Sequence, residues 1–238
     1  MRWSWCFGLC ILGAVALGQQ KNFISCPIVR DTKTVPCFLA EYDGELYYLG
    51  IQQEANSEFH PPQLKHQVLV EESVVAGPRV CGGIPLQPVS ISVMKEVNLA
   101  CNTLLPPEPG FDAPVALRAP EPSQAGLTGK QEFKILYAFD DDFLDYTGNL
   151  VVTEAAAYAK RIGSSSVKVS GYRAITLLSN GEKLTEKAGI AEKRTQNIAT
   201  ILRGLGVSGV TSESNAEPEP SDGKTDPSRR RVTVLVTP

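Results

Sequence analysis

The sequence predicts an α+β protein. A C-terminal β-α-β-α-β-β domain with two layers and a mixed sheet follows a small, disulfide-bonded, mostly-β domain. Four cysteines, 26, 37, 81 and 101, all precede a Pro/Gly-rich stretch at 106–130. After that stretch, apolar residues change between the alternation typical of strands and the three-and-four spacing of amphipathic helices. This order of patterns predicts helices packed on one face of a mixed sheet.

The N-terminus predicts export. Arg2 precedes an apolar run, "WSWCFGLCILGAVALG", which ends in the small-x-small pattern Ala16-Leu17-Gly18. The run is short for a bilayer span and no charged stop follows it, so a secretory signal over residues 1–18 is favoured over an uncleaved anchor. We expect a mature chain that begins near Gln19 and has no transmembrane span.

The four remaining cysteines indicate two disulfides in an oxidising compartment. Three connectivities are possible, and the short loops favour Cys26–Cys37 with Cys81–Cys101. A zinc site is disfavoured because there is no Cys-x-x-Cys pair, and because His60 and His66 are not at ligand spacing from the cysteines. No metal and no cofactor are predicted.

Composition excludes several functions. The chain has 23 basic and 26 acidic residues and a net charge of −3, with no basic patch for a nucleic acid. No nucleophile–base set is recognisable, so we do not expect an enzyme. Residues 106–130 have the composition of a linker between a domain at 19–105 and a second domain at 131–238.

The elements of the first domain are short strands. "ELYYLGIQ" and "HQVLVEESVV" have strand composition, and Asp43-Gly44 is a turn signal. The mixture of Gly-Gly and spaced prolines in "RVCGGIPLQPVSISVM" favours short strands over a long helix.

The elements of the second domain can be placed in order. "FKILYAF" at 133–139 alternates like a strand, and a helix is expected from Leu150 to Ile162 with Gly163 at its C-terminal cap. We expect a strand at 166–171, a helix from Glu182 to Leu205, and strands near 208–213 and 230–236. Arg194 lies on the shoulder of the second helix's apolar stripe, about 40° from Ile198.

These segments resemble the OmpA-like C-terminal domain family of peptidoglycan-associating proteins. The matching pieces are "YAFDDDF" before the first helix, "VKVSGY", "GIAEKRTQNIATILRGLGV" as the long helix, and "SRRRVTV" as the closing strand. They span a little under half of the chain. The resemblance implies a non-enzymatic protein of the periplasm, associated with the cell outer membrane, whose partner is peptidoglycan.

The resemblance also implies a binding site for a peptidoglycan stem peptide, usually for its diaminopimelate end. In the family, an aspartate in a Gly-His-Thr-Asp motif pairs with the ligand's ammonium group. An arginine of the long helix, helped by backbone amides, pairs with a ligand carboxylate. By position that arginine is Arg194, which either points into a pocket or is packed against the loop acids. Arg230, like Arg229 and Arg231 beside it, either lines the same groove or pairs with the acids of "EPEPSD" in the preceding loop.

The sequence departs from the family at the motif that holds the ammonium group. Gly171, Tyr172, Arg173 and Ala174 stand where the family has Gly-His-Thr-Asp, so the acid is replaced by alanine. Glu182 or Glu186 is a candidate substitute. Two functions follow: peptidoglycan binding, or a degenerate domain that lost its ligand and acts as a protein–protein interaction module in the envelope. In either case we expect the N-terminal domain to offer a surface to another envelope protein.

Overall fold

A computed structural model describes residues 18–51, 62–87, 90–110 and 128–238. The predicted signal, apart from Gly18, lies outside the described residues, as do His60 and most of the predicted linker. Among the helices that are described, none is long and apolar enough to cross a membrane.

The N-terminal half is built from short strands, as its sequence predicts. The strands are β1 (Gln20–Ser25), β2 (Pro27–Arg30), β3 (Cys37–Tyr42), β4 (Glu45–Ile51), β5 (His66–Val74), β6 (Ile84–Gln87), β7 (Ile91–Val97) and β8 (Thr103–Leu105). They form a sheet in the order β1-β5-β6-β4-β3-β2-β8, and β7 pairs with β5. Asp43 and Gly44 both have positive φ and close the β3–β4 hairpin at the predicted turn.

The four cysteines form two disulfides, but the favoured pairing is wrong. The bonds join Cys26 to Cys101 and Cys37 to Cys81, across 75 and 44 residues of sequence. For Cys26–Cys101 the reason lies in the strand order, because β2 pairs in parallel with β8, Ile28 beside Thr103, and the cysteines two residues before this pair are brought together. Loop length alone carries no information on that long-range pairing.

The C-terminal half combines helices with a mixed sheet. Its elements are β9 (Gln131–Leu136), α1 (Tyr146–Arg161), β10 (Ser166–Gly171), β11 (Ile175–Leu177), β12 (Lys183–Thr185), α2 (Ile190–Gly204), β13 (Val210–Ser214), α3 (Asp226–Arg229) and β14 (Arg231–Thr237). Four strands form the sheet, in the order β13-β10-β14-β9. β10 is parallel to β13 and antiparallel to β14, and β14 is antiparallel to β9. A separate two-stranded ribbon pairs β11 with β12.

The core of this half lies between the sheet and the two long helices. Paired residues on neighbouring strands face the same side, for example Ile135 beside Val232 and Val169 beside Val234. Val152 of α1 and Ile198 of α2 belong to the same buried cluster. The predicted two-layer α+β architecture is therefore confirmed.

Two helix boundaries differ from the expectation. α1 begins at Tyr146 because Asp145 caps it, its Oδ1 accepting a hydrogen bond from the Gly148 amide at 2.6 Å. α2 begins only at Ile190, since Gly189 has a φ of 84°, which ends any helix arriving from residue 182. Leu184 accordingly lies on β12 rather than on the apolar stripe of a helix.

The two halves meet across a buried ion pair. Arg230, the residue before the last strand, donates to both carboxylate oxygens of Glu71 in β5, at 2.9 and 2.6 Å. The Thr176 hydroxyl donates to Glu71 at 2.9 Å and accepts from Arg230 at 3.0 Å. Arg230 is 1% exposed and Glu71 is 3% exposed. The halves on either side of the predicted linker are thus packed together.

Removal of one partner of this pair is predicted to destabilise the whole chain. Glu71→Ala leaves the Arg230 guanidinium buried without its carboxylate, and such a loss typically costs about 3–5 kcal/mol. The measurement is the free energy of unfolding in urea. The control is Glu132→Ala, which removes only the exposed Glu132–Lys134 pair and should cost below about 1 kcal/mol. Equal effects of the two variants would contradict the role of the buried pair.

Candidate functional site

The site predicted from the sequence is centred on Arg194 in the second turn of α2. Its side chain is 0% exposed, although arginine is rarely buried without a partner. The helix turns this residue inward, toward the loop between β9 and α1 and the chain that leaves β10. Arg194 therefore does not point into an open pocket in this structure.

Arg194 binds the carboxylate of Glu186 in a bidentate pair. Nη2 lies 2.6 Å from Oε1 and Nη1 lies 3.3 Å from Oε2. The remaining guanidinium donors go to the carbonyl oxygens of Asp141, Ala138 and Tyr172, at 2.7, 3.0 and 3.4 Å. All five N–H donors of the guanidinium are thus used.

Each carboxylate oxygen of Glu186 accepts two hydrogen bonds. Besides the guanidinium, the backbone amide of Asp140 donates to Oε1 at 3.0 Å and that of Ala174 donates to Oε2 at 2.9 Å. Glu186 is 1% exposed. One guanidinium and two backbone amides therefore form a carboxylate-binding site, and the carboxylate is the chain's own.

Tyr137 completes the wall behind Arg194. The guanidinium lies over its ring, 4.8 Å from the centroid. Burial raises the pKa of the Tyr137 hydroxyl well above its ordinary value, against the opposing effect of the Arg194 charge. The hydroxyl is therefore neutral, and the ring acts as an apolar support for the cation.

Of the four predicted loop residues, Ala174 contacts the Glu186 carboxylate and Gly171 packs against α2. Gly171 is where β10 approaches α2 so closely that a Cβ would collide with Thr195 and with the carbonyl of Ala191. Ala174 is 0% exposed and faces Glu186 through its amide. Glycine and a small residue are thus required here for packing.

The two loop residues between them are held by the neighbouring chain. The guanidinium of Arg231 lies over the Tyr172 ring, with its Cζ 4.3 Å from the ring centroid. Arg173 donates to the backbone carbonyls of Ala216 and Glu186, at 2.8 and 2.7 Å. Neither side chain contacts the carboxylate group of Glu186 in the structure.

The three consecutive arginines have separate partners. Arg229 donates to Asp222 at 2.7 Å, and Arg231 binds both carboxylate oxygens of Glu219 at 2.8 and 2.9 Å. Backbone amides of Thr225 and Lys224 hold the pKa of Asp222 below its ordinary value. These two arginines pair with the acidic loop, which is one of the two expected alternatives. Arg230 pairs instead with Glu71, and the structure does not bring it to the Arg194 carboxylate site.

Glu186 is the residue whose role the sequence did not determine. It was a candidate to replace the missing ammonium partner, but both of its oxygens face donors within the protein. Glu182, the other candidate, is exposed. The sequence contains the opposite charges of Glu186 and Arg194, eight residues apart. Their pairing can be predicted only when Gly189 is known to interrupt the helix between them.

A cleft of about 260 Å³ lies beside the buried pair. It is lined by three lysines, two aspartates and two apolar residues: Lys95, Lys187, Lys193, Asp140, Asp142, Ala188 and Ile190. Lys95 comes from the N-terminal half, and its Nζ lies 3.2 Å from Asp141 Oδ1. In the described part of the chain, no group of three or more His, Cys, Asp or Glu residues is arranged to hold a metal ion.

Comparisons with known proteins give likenesses in structure only. No protein-family profile matches the chain, and no curated protein matches it in sequence. The OmpA-like domain of FopA1 from Francisella tularensis is 22% identical over 45% of this chain and 71% of that one, with a TM-score of 0.36. The peptidoglycan-associated lipoprotein of Burkholderia pseudomallei is 16% identical over 44% and 90%, with a TM-score of 0.35.

A third similar structure is the cell wall anchor of the type VI secretion system from Pseudomonas aeruginosa. It is 18% identical over 46% of this chain and 82% of that one, with a TM-score of 0.35. OmpA-like domains, which the sequence of the C-terminal half resembles, are thus among the solved structures similar to this chain.

Arg194 is predicted to be essential to stability. Arg194→Met keeps an unbranched stem but leaves the Glu186 carboxylate buried without its cation, for an expected loss of about 3–5 kcal/mol. Lys193→Met, at the exposed neighbouring position of the same helix, is the control and should change stability by less than about 0.5 kcal/mol. Urea unfolding of both variants tests this, and an unchanged midpoint for Arg194→Met would contradict it.

Ala174→Asp is predicted to disrupt the site although it restores the acid of the family motif. The new carboxylate would be buried next to Glu186, and two like charges in one enclosed site repel each other. We expect a loss of several kcal/mol in thermal or urea unfolding. Ala188→Asp, at an exposed alanine just before α2, should be near neutral. A fully stable Ala174→Asp protein would show that the loop opens more easily than its burial indicates.

Proposed function

We propose that this chain is a non-enzymatic protein of the bacterial periplasm, associated with the outer membrane, that binds peptidoglycan through its OmpA-like half. One observation carries the proposal. Arg194, at the position that the resemblance assigns to the ligand-binding arginine, forms a carboxylate-binding site with the amides of Asp140 and Ala174. The predicted ligand is the diaminopimelate end of a stem peptide, which offers a carboxylate.

A bidentate guanidinium–carboxylate contact supports this ligand class. Such contacts are stronger and more directional than those of a neutral donor, and backbone amides add to them without a cost in side-chain order. The same elements that hold Glu186 would hold a ligand carboxylate once Glu186 has left. The partner predicted for the N-terminal half stays a prediction.

A second function is favoured by a different observation. Glu186 occupies the donors of Arg194, and Ala174 replaces the acid that would pair with a ligand ammonium group. Loss of a charged hydrogen-bond partner typically costs about 1.5–3 kcal/mol, or roughly tenfold to 100-fold in affinity. An OmpA-like domain without ligand would then act as a protein–protein interaction module in the envelope.

Co-sedimentation of the full chain with purified peptidoglycan sacculi tests the proposal. We expect the wild type to sediment and Arg194→Lys to sediment about tenfold less, because lysine keeps the charge but cannot make a bidentate contact. Arg203→Lys, at an exposed position near the end of the same helix, is the control and should sediment like the wild type. A soluble stem peptide that ends in diaminopimelate should release the bound protein.

Two results would contradict the proposal. A wild-type protein that stays in the supernatant with sacculi would favour the interaction module. Sedimentation that Arg194→Lys leaves unchanged would place any peptidoglycan contact elsewhere on the chain. Circular dichroism of each variant excludes misfolding as the cause of a lost interaction.

A further inference from the structure

Glu186 reaches Arg194 from a segment that is otherwise on the surface. Residues 183–189, here called the strap, run from β12 to the start of α2. Within the strap only Glu186 is buried; Leu184 is half-buried and the other five residues are exposed. β12 pairs with β11 through three residue pairs and lies in no larger sheet.

The attachments of the strap to the body concentrate at Glu186. Its carboxylate accepts four hydrogen bonds, its amide donates to the Ala174 carbonyl at 3.2 Å, and its carbonyl accepts from Arg173 at 2.7 Å. The next residue, Lys187, adds a hydrogen bond from its amide to Asp140 Oδ1 at 2.6 Å and two exposed ion pairs of its Nζ, with Asp140 at 3.5 Å and with Glu96 at 3.7 Å. Leu184 packs against the apolar cluster of Leu69, Phe139 and Leu178, and the buried polar attachments of the segment are those of Glu186.

The donors that receive this carboxylate do not belong to the strap. The amide of Asp140 follows β9, the amide of Ala174 follows β10, and Arg194 lies within α2. Arg194 is itself fixed by the carbonyls of Ala138 and Asp141. The receiving donors are thus supplied by three elements outside the strap.

The strap also forms one wall of the neighbouring cleft. Lys187 and Ala188 line it from the strap, while Asp140 and Lys193 line it from the body. Asp140 is shared, because its amide holds Glu186 while its side chain faces the cleft. Withdrawal of the strap would therefore open the carboxylate site toward a space that already exists.

We propose that Glu186 is an internal ligand, and that the strap is a latch that closes a carboxylate-binding site. An external carboxylate binds Arg194 and the two amides only when Glu186 leaves them. The two carboxylates compete for the same donors, so the strap sets the apparent affinity of the site. This inference rests on the proposed binding role of Arg194, and it adds the regulation of that site.

The first arm of the test fills the vacated site with acetate. The full-length protein carrying Glu186→Ala is unfolded thermally in 100 mM sodium acetate and in sodium chloride of the same pH and ionic strength. If acetate binds with a dissociation constant of about 10 mM, the folding equilibrium constant rises about tenfold. In a chain of this size that raises Tm by roughly 3–6 °C. The wild type and the double variant Glu186→Ala/Arg194→Met should show no acetate-specific shift.

The second arm follows the strap itself and does not need the alanine variant to fold well. Glu186→Gln keeps the shape of the side chain but removes its charge. We expect trypsin to cut this variant after Lys183 or Lys187 at least tenfold faster than the wild type, while the rest of the chain stays intact. Cleavage spread over the whole chain would indicate global unfolding and would overturn the latch.

The remaining outcomes separate this inference from the proposed function. An acetate shift in Glu186→Ala, together with local cleavage in Glu186→Gln, supports the latch even if no variant sediments with sacculi; only the peptidoglycan ligand then fails. If sacculi bind the wild type and Glu186→Ala equally, the latch is overturned while peptidoglycan binding stands. The absence of an acetate shift in a folded Glu186→Ala protein overturns it as well.

Discussion

The burial of Arg194 is the constraint on which the C-terminal half depends. A guanidinium taken out of water needs a carboxylate and a full set of acceptors, because an uncompensated buried charge costs several kcal/mol. The chain meets this need with Glu186 and three backbone carbonyls. The loop after β9, the chain after β10 and the strap before α2 are all positioned by this one side chain.

The same solution appears at the junction of the two halves. Arg230 and Glu71 form a second buried bidentate pair, with Thr176 as the third member. Asn22 of β1 adds hydrogen bonds to the carbonyls of Leu177 and Gly223. The N-terminal half is thereby bound to the ribbon and to the last strand of the C-terminal half, next to the elements that carry the Arg194 site.

The two buried pairs differ in what surrounds them. Glu71 lies in the middle of a nine-residue strand that pairs with other strands along both edges, so it has no means of withdrawing. Glu186 lies in a short, exposed segment between a three-residue strand and a glycine that begins a helix. Equal chemistry therefore has different consequences: a fixed junction in one case and a releasable contact in the other.

The sequence by itself determined the fold class, the strand composition of the N-terminal half and the order of elements in the C-terminal half. It did so because period-two and helical patterns of apolar residues, Gly163 at a helix end and Asp43-Gly44 in a hairpin are local signals. It also identified Arg194 as a charged residue beside the apolar stripe of a helix, because the angle between helical positions follows from their spacing in the sequence alone.

Only the tertiary structure decided which residues pair. The Cys26–Cys101 disulfide follows from β2 lying beside β8, and the partner of Arg230 lies 159 residues away in sequence, on β5. Even the pairing of Arg194 with Glu186, eight residues apart, depends on Gly189 interrupting a pattern that otherwise continues as helix. Pairing is a long-range property because it is set by the order of strands in a sheet and the direction of each connection, neither of which a local pattern records.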